Sequence, residues 1–231
     1  MFKSFIAAFA IVLLTATAGI AQQPATRQYT RASDSDPEAR AAVEALRRKY
    51  QAYTNMEASF TLDIELPEQP KETQRGVIGR SGAKYRMQLS GQEVICDGRA
   101  LYLILHSNKE VQINNMPDPN DDENILSPDA LFNFYDRGQF VFILVDERTE
   151  NGKVVQIIDC KPTDRESEFS KITLTLTKQS REIVRIKAFG KDGSRYTFNL
   201  LSLNGNKTFA GNHFTFDRTK YPGYHIEDLR D

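Results

Sequence analysis

Tryptophan is absent from these 231 residues, cysteine occurs twice, histidine three times and methionine four times. Two cysteines do not make a disulfide framework, so a chain of this length must be held together by an apolar core. Cys96 and Cys160 each sit in or beside an apolar strand pattern, which fits two buried thiols as well as it fits one bridge. Net charge is lacking too. Thirty Lys and Arg against 31 Asp and Glu leave −1, a balance that gives no support to nucleic-acid binding or to steering toward anionic membranes. His106, His213 and His225 are widely scattered and show no metal-ligand spacing. No nucleophile elbow, Walker loop or dinucleotide fingerprint is present. Ser81-Gly82-Ala83-Lys84 has the spacing of a serine-x-x-lysine nucleophile, but it falls in a hairpin turn and its companion motifs are missing. Asp118, Asn120 and Asp122 imitate the start of a calcium loop, yet Glu123 stands where that loop needs glycine. No catalytic residue, metal ligand or cofactor is therefore expected, and the chain reads as a non-enzyme.

Long apolar runs are scarce as well. The longest, Phe5 to Leu14, is too short to span a bilayer. Lys3 precedes it and Gly19-Ile20-Ala21 follows before Gln22, so residues 1–21 are expected to be a cleaved secretory signal peptide. No cysteine follows that cleavage site, so the exported protein is expected to be unlipidated and periplasmic. Residues 22–33 are polar and aperiodic, the pattern of a flexible leader. Residues 34–231 are read as one domain and as a monomer.

What the chain does have is alternation. Asp36-Pro37-Glu38 is a helix start, and Val43, Leu46, Tyr50 and Tyr53 follow at helical spacing to about residue 54. Then Ala58, Phe60, Leu62, Ile64 and Leu66 alternate with polar residues, the period of a strand with one buried face. Further strands are predicted near 74–80, 84–90, 92–97, 100–106, 109–114, 139–146, 153–160, 169–177, 182–190, 194–203 and 212–217. Asp97-Gly98, Asn151-Gly152, Asp192-Gly193 and Asn204-Gly205 read as turns between them. The predicted fold is mainly β, of α+β type: a curved antiparallel sheet that must curl into an incomplete barrel to bury its apolar face. The pattern breaks at 114–139, an acidic, proline-rich stretch followed by a short aromatic helix opening at Ser127-Pro128-Asp129. That helix carries Leu131, Phe132, Phe134 and Tyr135 and is read as a plug or a lid over an apolar cavity.

Taken in order, several segments resemble the bacterial lipoprotein carrier family LolA over roughly residues 36–231. They are Ala58-Ser59-Phe60-Thr61, Gly76-Val77-Ile78, Lys84-Tyr85-Arg86-Met87, Cys96-Asp97-Gly98-Arg99-Ala100-Leu101-Tyr102, Phe214-Thr215-Phe216, Pro222-Gly223 and Asp228. The resemblance implies a half-barrel whose apolar cavity carries lipoprotein acyl chains from the inner to the outer membrane. It implies an inner-membrane ABC transporter as donor and an outer-membrane receptor as a further partner to be sought. It points to Phe60, Leu62, Ile64, Met87, Leu89, Leu131, Phe132 and Phe134 as acyl-chain contacts. Tyr85 matches an aromatic at the mouth that contacts partners. The family's lid-latching arginine has no exact counterpart, and Arg80 is the nearest candidate. A carrier or sensor of another lipid or envelope ligand on the same half-barrel is the alternative reading, and an envelope enzyme with an unrecognised active site is the third.

Overall fold

The computed structural model describes residues 30–116 and 140–230. The expected signal peptide, most of the expected leader, and the expected lid segment with Leu131, Phe132 and Phe134 lie outside the described residues.

Helix α1 runs from Pro37 to Gln51. Proline at its first position costs no hydrogen bond there, and Ala39, Ala42, Val43, Leu46 and Tyr50 share one buried face. Asp36 precedes the helix in extended conformation, and its carboxylate accepts from the Leu144 amide at 3.0 Å. Twelve strands follow: β1 Asn55–Glu65, β2 Glu72–Ser81, β3 Lys84–Leu89, β4 Gln92–Cys96, β5 Leu101–Leu105, β6 Glu110–Asn114, β7 Phe140–Glu150, β8 Lys153–Pro162, β9 Phe169–Thr177, β10 Ile183–Gly190, β11 Arg195–Gly205 and β12 His225–Asp228. They form one open sheet in the order β12-β6-β5-β4-β3-β2-β1-β11-β10-β9-β8-β7. Eleven of the strands lie where the period-two pattern put them. Asn151 and Gly152 both take positive φ at the β7–β8 turn, as a tight hairpin requires.

The C-terminus departs from expectation. Residues 212–214 form a turn, with Thr215 N–H donating to Asn212 C=O, and no strand runs over 212–217. Phe214 and Phe216 alternate because each fills a different aromatic cluster, Phe214 with Phe209 and His213, Phe216 stacked on Tyr102. The last strand is β12, which pairs with β6 in parallel, so the sheet is mixed rather than wholly antiparallel.

Register sorts the side chains into two cores on opposite faces of this one sheet. On the concave face, α1 packs on Met56, Ala58 and Phe60 of β1 and on Ile158, Ile172, Leu174, Leu176, Ile183, Ile186 and Phe198 of β8–β11. On the convex face, Ile95, Ile104 and Val111 of β4–β6 are buried with Tyr221, and Tyr102, Phe216, Tyr224 and Ile226 pack around them. The segment after β11 thus straps the outside of the β2–β6 half, while α1 covers the inside of the other half. Beneath the strap, Arg86 pairs with the buried Glu93, and the Tyr221 hydroxyl donates to the same carboxylate at 3.0 Å. Burial first, and the Glu93 charge second, push the Tyr221 phenol up to about 12. The free edge of β7 is occupied where α1 begins. Phe142 N–H donates to Ser35 Oγ at 3.0 Å, and Asp36 N–H donates to Phe142 C=O at 2.8 Å. Such cover blunts an edge that would otherwise pair with another chain. No helix among the described residues is long and apolar enough to cross a membrane.

Candidate functional site

The concave face of β3–β5 is the place where apolar side chains are left without a helix over them among the described residues. Pairing runs Ile78–Met87, Met87–Val94 and Val94–Leu103 across one row, and Arg80–Tyr85, Tyr85–Cys96 and Cys96–Leu101 across the next. Side chains of directly paired residues project to the same face, so Met87, Val94 and Leu103 form one stripe and Tyr85, Cys96 and Leu101 another. Leu89 and Leu105, both paired with Gln92, lie one row further along. Leu89, Val94, Leu101, Leu103 and Leu105 are half-buried. Leu89 and Val94 lean on the α1 core, whereas Leu101, Leu103 and Leu105 belong to neither core. Strands β4 and β5 tolerate this because their other faces, Ile95 and Ile104, are fully buried under the strap.

The expected contacts are spread over this face unequally. Phe60 is 1% exposed and part of the α1 core, its ring 4.5 Å from that of Phe198. It lies directly over Gly76, where a Cβ would come within 2.5 Å of the Phe60 ring and 2.9 Å of Leu89. Leu62 leans on the same core and Ile64 is half-buried. Met87 is buried at the junction between the roofed floor and the uncovered stripe, and Leu89 sits beside it. Tyr85 is 4% exposed and Arg80, paired with it, is half-buried. Leu131, Phe132 and Phe134 fall outside the described residues. Val94, Leu101, Leu103 and Leu105 were not foreseen. The run Leu101-Tyr102-Leu103-Ile104-Leu105 is apolar on both faces, so its alternation is invisible in the sequence.

Both cysteines are buried thiols with no disulfide between them. Cys96 Sγ lies 3.3 Å from Met116 Sδ at the end of the stripe, and burial pushes the Cys160 thiol far above its ordinary range. The histidines lie apart: His106 against the Tyr224 hydroxyl at 3.0 Å, His213 between Phe209 and Phe214, and His225 exposed on β12. Among the described residues no three His, Cys, Asp or Glu are grouped to hold a metal. An apolar, half-covered floor with its polar atoms satisfied elsewhere can sequester hydrocarbon.

No family model and no curated protein matches the chain. Solved structures similar to it include an uncharacterized conserved protein from Thermus thermophilus, with TM-score 0.53 and 9% identity over 84% of this chain and 99% of that one. A LolA superfamily protein from Nitrosomonas europaea matches with TM-score 0.43 and 12% identity over 78% of this chain and 98% of that one. The Mycobacterium tuberculosis lipoprotein LppX matches with TM-score 0.44 and 10% identity over 76% and 99%. At these identities the likeness concerns the fold, an open curved half-barrel.

Proposed function

We propose that the protein is a non-enzymatic carrier of the cell envelope that seats the acyl chains of lipid-modified proteins on the half-buried concave stripe and moves them from the inner to the outer membrane through the periplasm. The observation that carries this reading is the half-buried Leu101, Leu103 and Leu105, which face the hollow of the sheet and belong to neither core, continued by Leu89 and Val94 at the edge of the α1 core. Each methylene taken from water contributes about 0.8 kcal/mol. A site that dried two or three long chains completely would hold them by tens of kcal/mol and never release them, so partial cover suits a shuttle. Phe60, Leu62, Ile64, Met87 and Leu89 supply the adjoining apolar floor. Tyr85, at the end of β3 beside Cys96 and Leu101, is proposed as the contact to donor and acceptor, and Arg80 as the latch at that end. An inner-membrane ABC transporter is the proposed donor, and an outer-membrane receptor the proposed acceptor.

Native mass spectrometry of the protein purified from the cell envelope tests this. The carrier reading expects adducts of lipid-modified protein. Free lipid alone would replace it with a lipid carrier or sensor, and a bare protein would count against both.

A further inference from the structure

A second place for hydrocarbon lies in the wall itself, away from the concave stripe. Strands β10 and β11 pair from Phe189–Arg195 to Arg185–Asn199 and no further. Beyond that point β11 continues to Gly205 against β1 alone, and Ile183 of β10 pairs with β9 alone. The sheet therefore splits at this end. Both strands carry an irregularity where they part: β10 shifts register against β9 between Ile183 and Arg185, and β11 shifts against β1 at Leu201. A bulge bends its strand and strengthens the local twist, so two of them facing each other hold the split open. Arg185 pins its base, with Nε donating to Asn199 Oδ1 at 3.1 Å and Nη2 3.6 Å from Glu150.

The split opens into a slot of about 290 Å³, lined on the β10–β11 side by Ile183, Val184, Leu200, Leu201, Ser202 and Leu203 and reaching over Glu150, Asn151, Lys153, Val155, Thr177 and Glu182 at the ends of β7–β9 and the turns that follow them. It runs from solvent to the main core, because Leu201 is 59% exposed while Ile183 belongs to that core and Leu200 and Leu203 pack against it. Its volume sits at the lower limit of ligand pockets, about 300 Å³, which suits one narrow chain rather than a ring system or a bundle of chains. An added β-strand would seek backbone partners, yet the Ile183 amide already donates to the Tyr50 hydroxyl at 3.2 Å. Hydrocarbon asks for no such partner.

Charge selects the head group. Glu182 is paired with Lys49 at 2.9 Å, and Glu150 with Arg148 at 2.7 Å. Lys153 is exposed and, among the described residues, makes no ion pair within 4 Å, although Glu150 stands opposite it across the β7–β8 hairpin and Glu182 attracts it at longer range. We propose that the β10–β11 slot binds the single alkyl chain of an anionic amphiphile of the fatty-acid class, with its head group at Lys153.

Because the chain has no tryptophan, Leu201→Trp places one fluorophore in the slot and Leu103→Trp one on the concave stripe. Ser202→Trp, at an exposed position lining the slot, serves as a second reporter. Each folded full-length variant is titrated with a mid-chain dibrominated stearate. Saturable quenching at 201 and 202 is expected, and Lys153→Glu should weaken it about fivefold while leaving quenching at 103 unchanged. Quenching at 103 alone would overturn the slot and leave the proposed carrier function standing. Quenching at 201 that ignores Lys153→Glu would overturn the head-group assignment, and silence at 201 and 202 would overturn the slot whatever position 103 reports.

Discussion

Gly76→Ala puts two ordinary rules in opposition. Glycine inside a strand weakens it, so alanine at a β2 position is expected by conformational entropy to gain about 0.5–1 kcal/mol. The packing above Gly76 predicts the reverse. A methyl group there would meet the Phe60 ring at 2.5 Å, the Gln88 carbonyl at 2.8 Å and Leu89 at 2.9 Å. Phe60 is wedged against Phe198 and is 1% exposed, so its ring has nowhere to retreat. Overpacking of this kind costs about 1–3 kcal/mol. For a domain of this size each kcal/mol moves the melting temperature by about 2–4 °C, so a fall of about 2–12 °C is expected. Phe60→Leu in the same chain should restore part of the loss, though not all, because the Gln88 carbonyl is backbone and remains. Thermal unfolding by circular dichroism reads both changes. A Gly76→Ala protein as stable as its parent, or more so, would refute the placement of Phe60 on the floor of the hollow.

The strap should be acid-sensitive through His213, whose imidazole is held below its ordinary range by burial first and by the Arg86 guanidinium second. With the folded value depressed, the unfolded chain binds the extra proton, so this contribution is present above the unfolded value of about 6.5 and is lost as pH falls through and below it. Denaturant unfolding of His213→Phe should accordingly show a flatter slope between pH 7 and 5 than the parent, and identical slopes would remove His213 from the account. Tyr221→Phe leaves the Glu93 carboxylate one hydrogen bond short under the strap, an expected loss of about 1.5–3 kcal/mol in urea titration; no change would mean that this bond contributes nothing. Cys96 and Cys160, buried and not bridged, should resist a thiol reagent in the native state and both react in denaturant, whereas no reaction after unfolding would indicate a bridge.

Helix α1 and strands such as β1 and β3 were legible because each shows a single apolar face at a clear period, whereas β5 was placed only as an apolar run between turns. β12 was not legible. His225-Ile226-Glu227-Asp228 is four residues long, mostly exposed, and held by parallel pairing to a strand more than a hundred residues earlier. Alternating Phe214 and Phe216 misled in the other direction, since aromatic packing outside the sheet copied a strand's period. The floor of the site was legible in part. Met87 and Leu89 alternate with Arg86 and Gln88 and so announce their face. Leu101, Leu103 and Leu105 alternate with Tyr102 and Ile104, which serve a second core on the opposite face, and the contrast disappears. Leu201, extra to its register with β1, belongs to no period at all.

The concave stripe itself is tested by titrating a synthetic triacylated lipopeptide into the parent protein, Leu103→Glu and, as a convex control, Val77→Glu, which changes a residue 40% exposed. A half-buried leucine replaced by a carboxylate would leave a charge facing the acyl chains, at a cost of several kcal/mol if it were dried. The account predicts that the parent and Val77→Glu bind alike while Leu103→Glu, still folded, loses at least about tenfold in affinity, the equivalent of about 1.4 kcal/mol. Equal binding by all three proteins would contradict it.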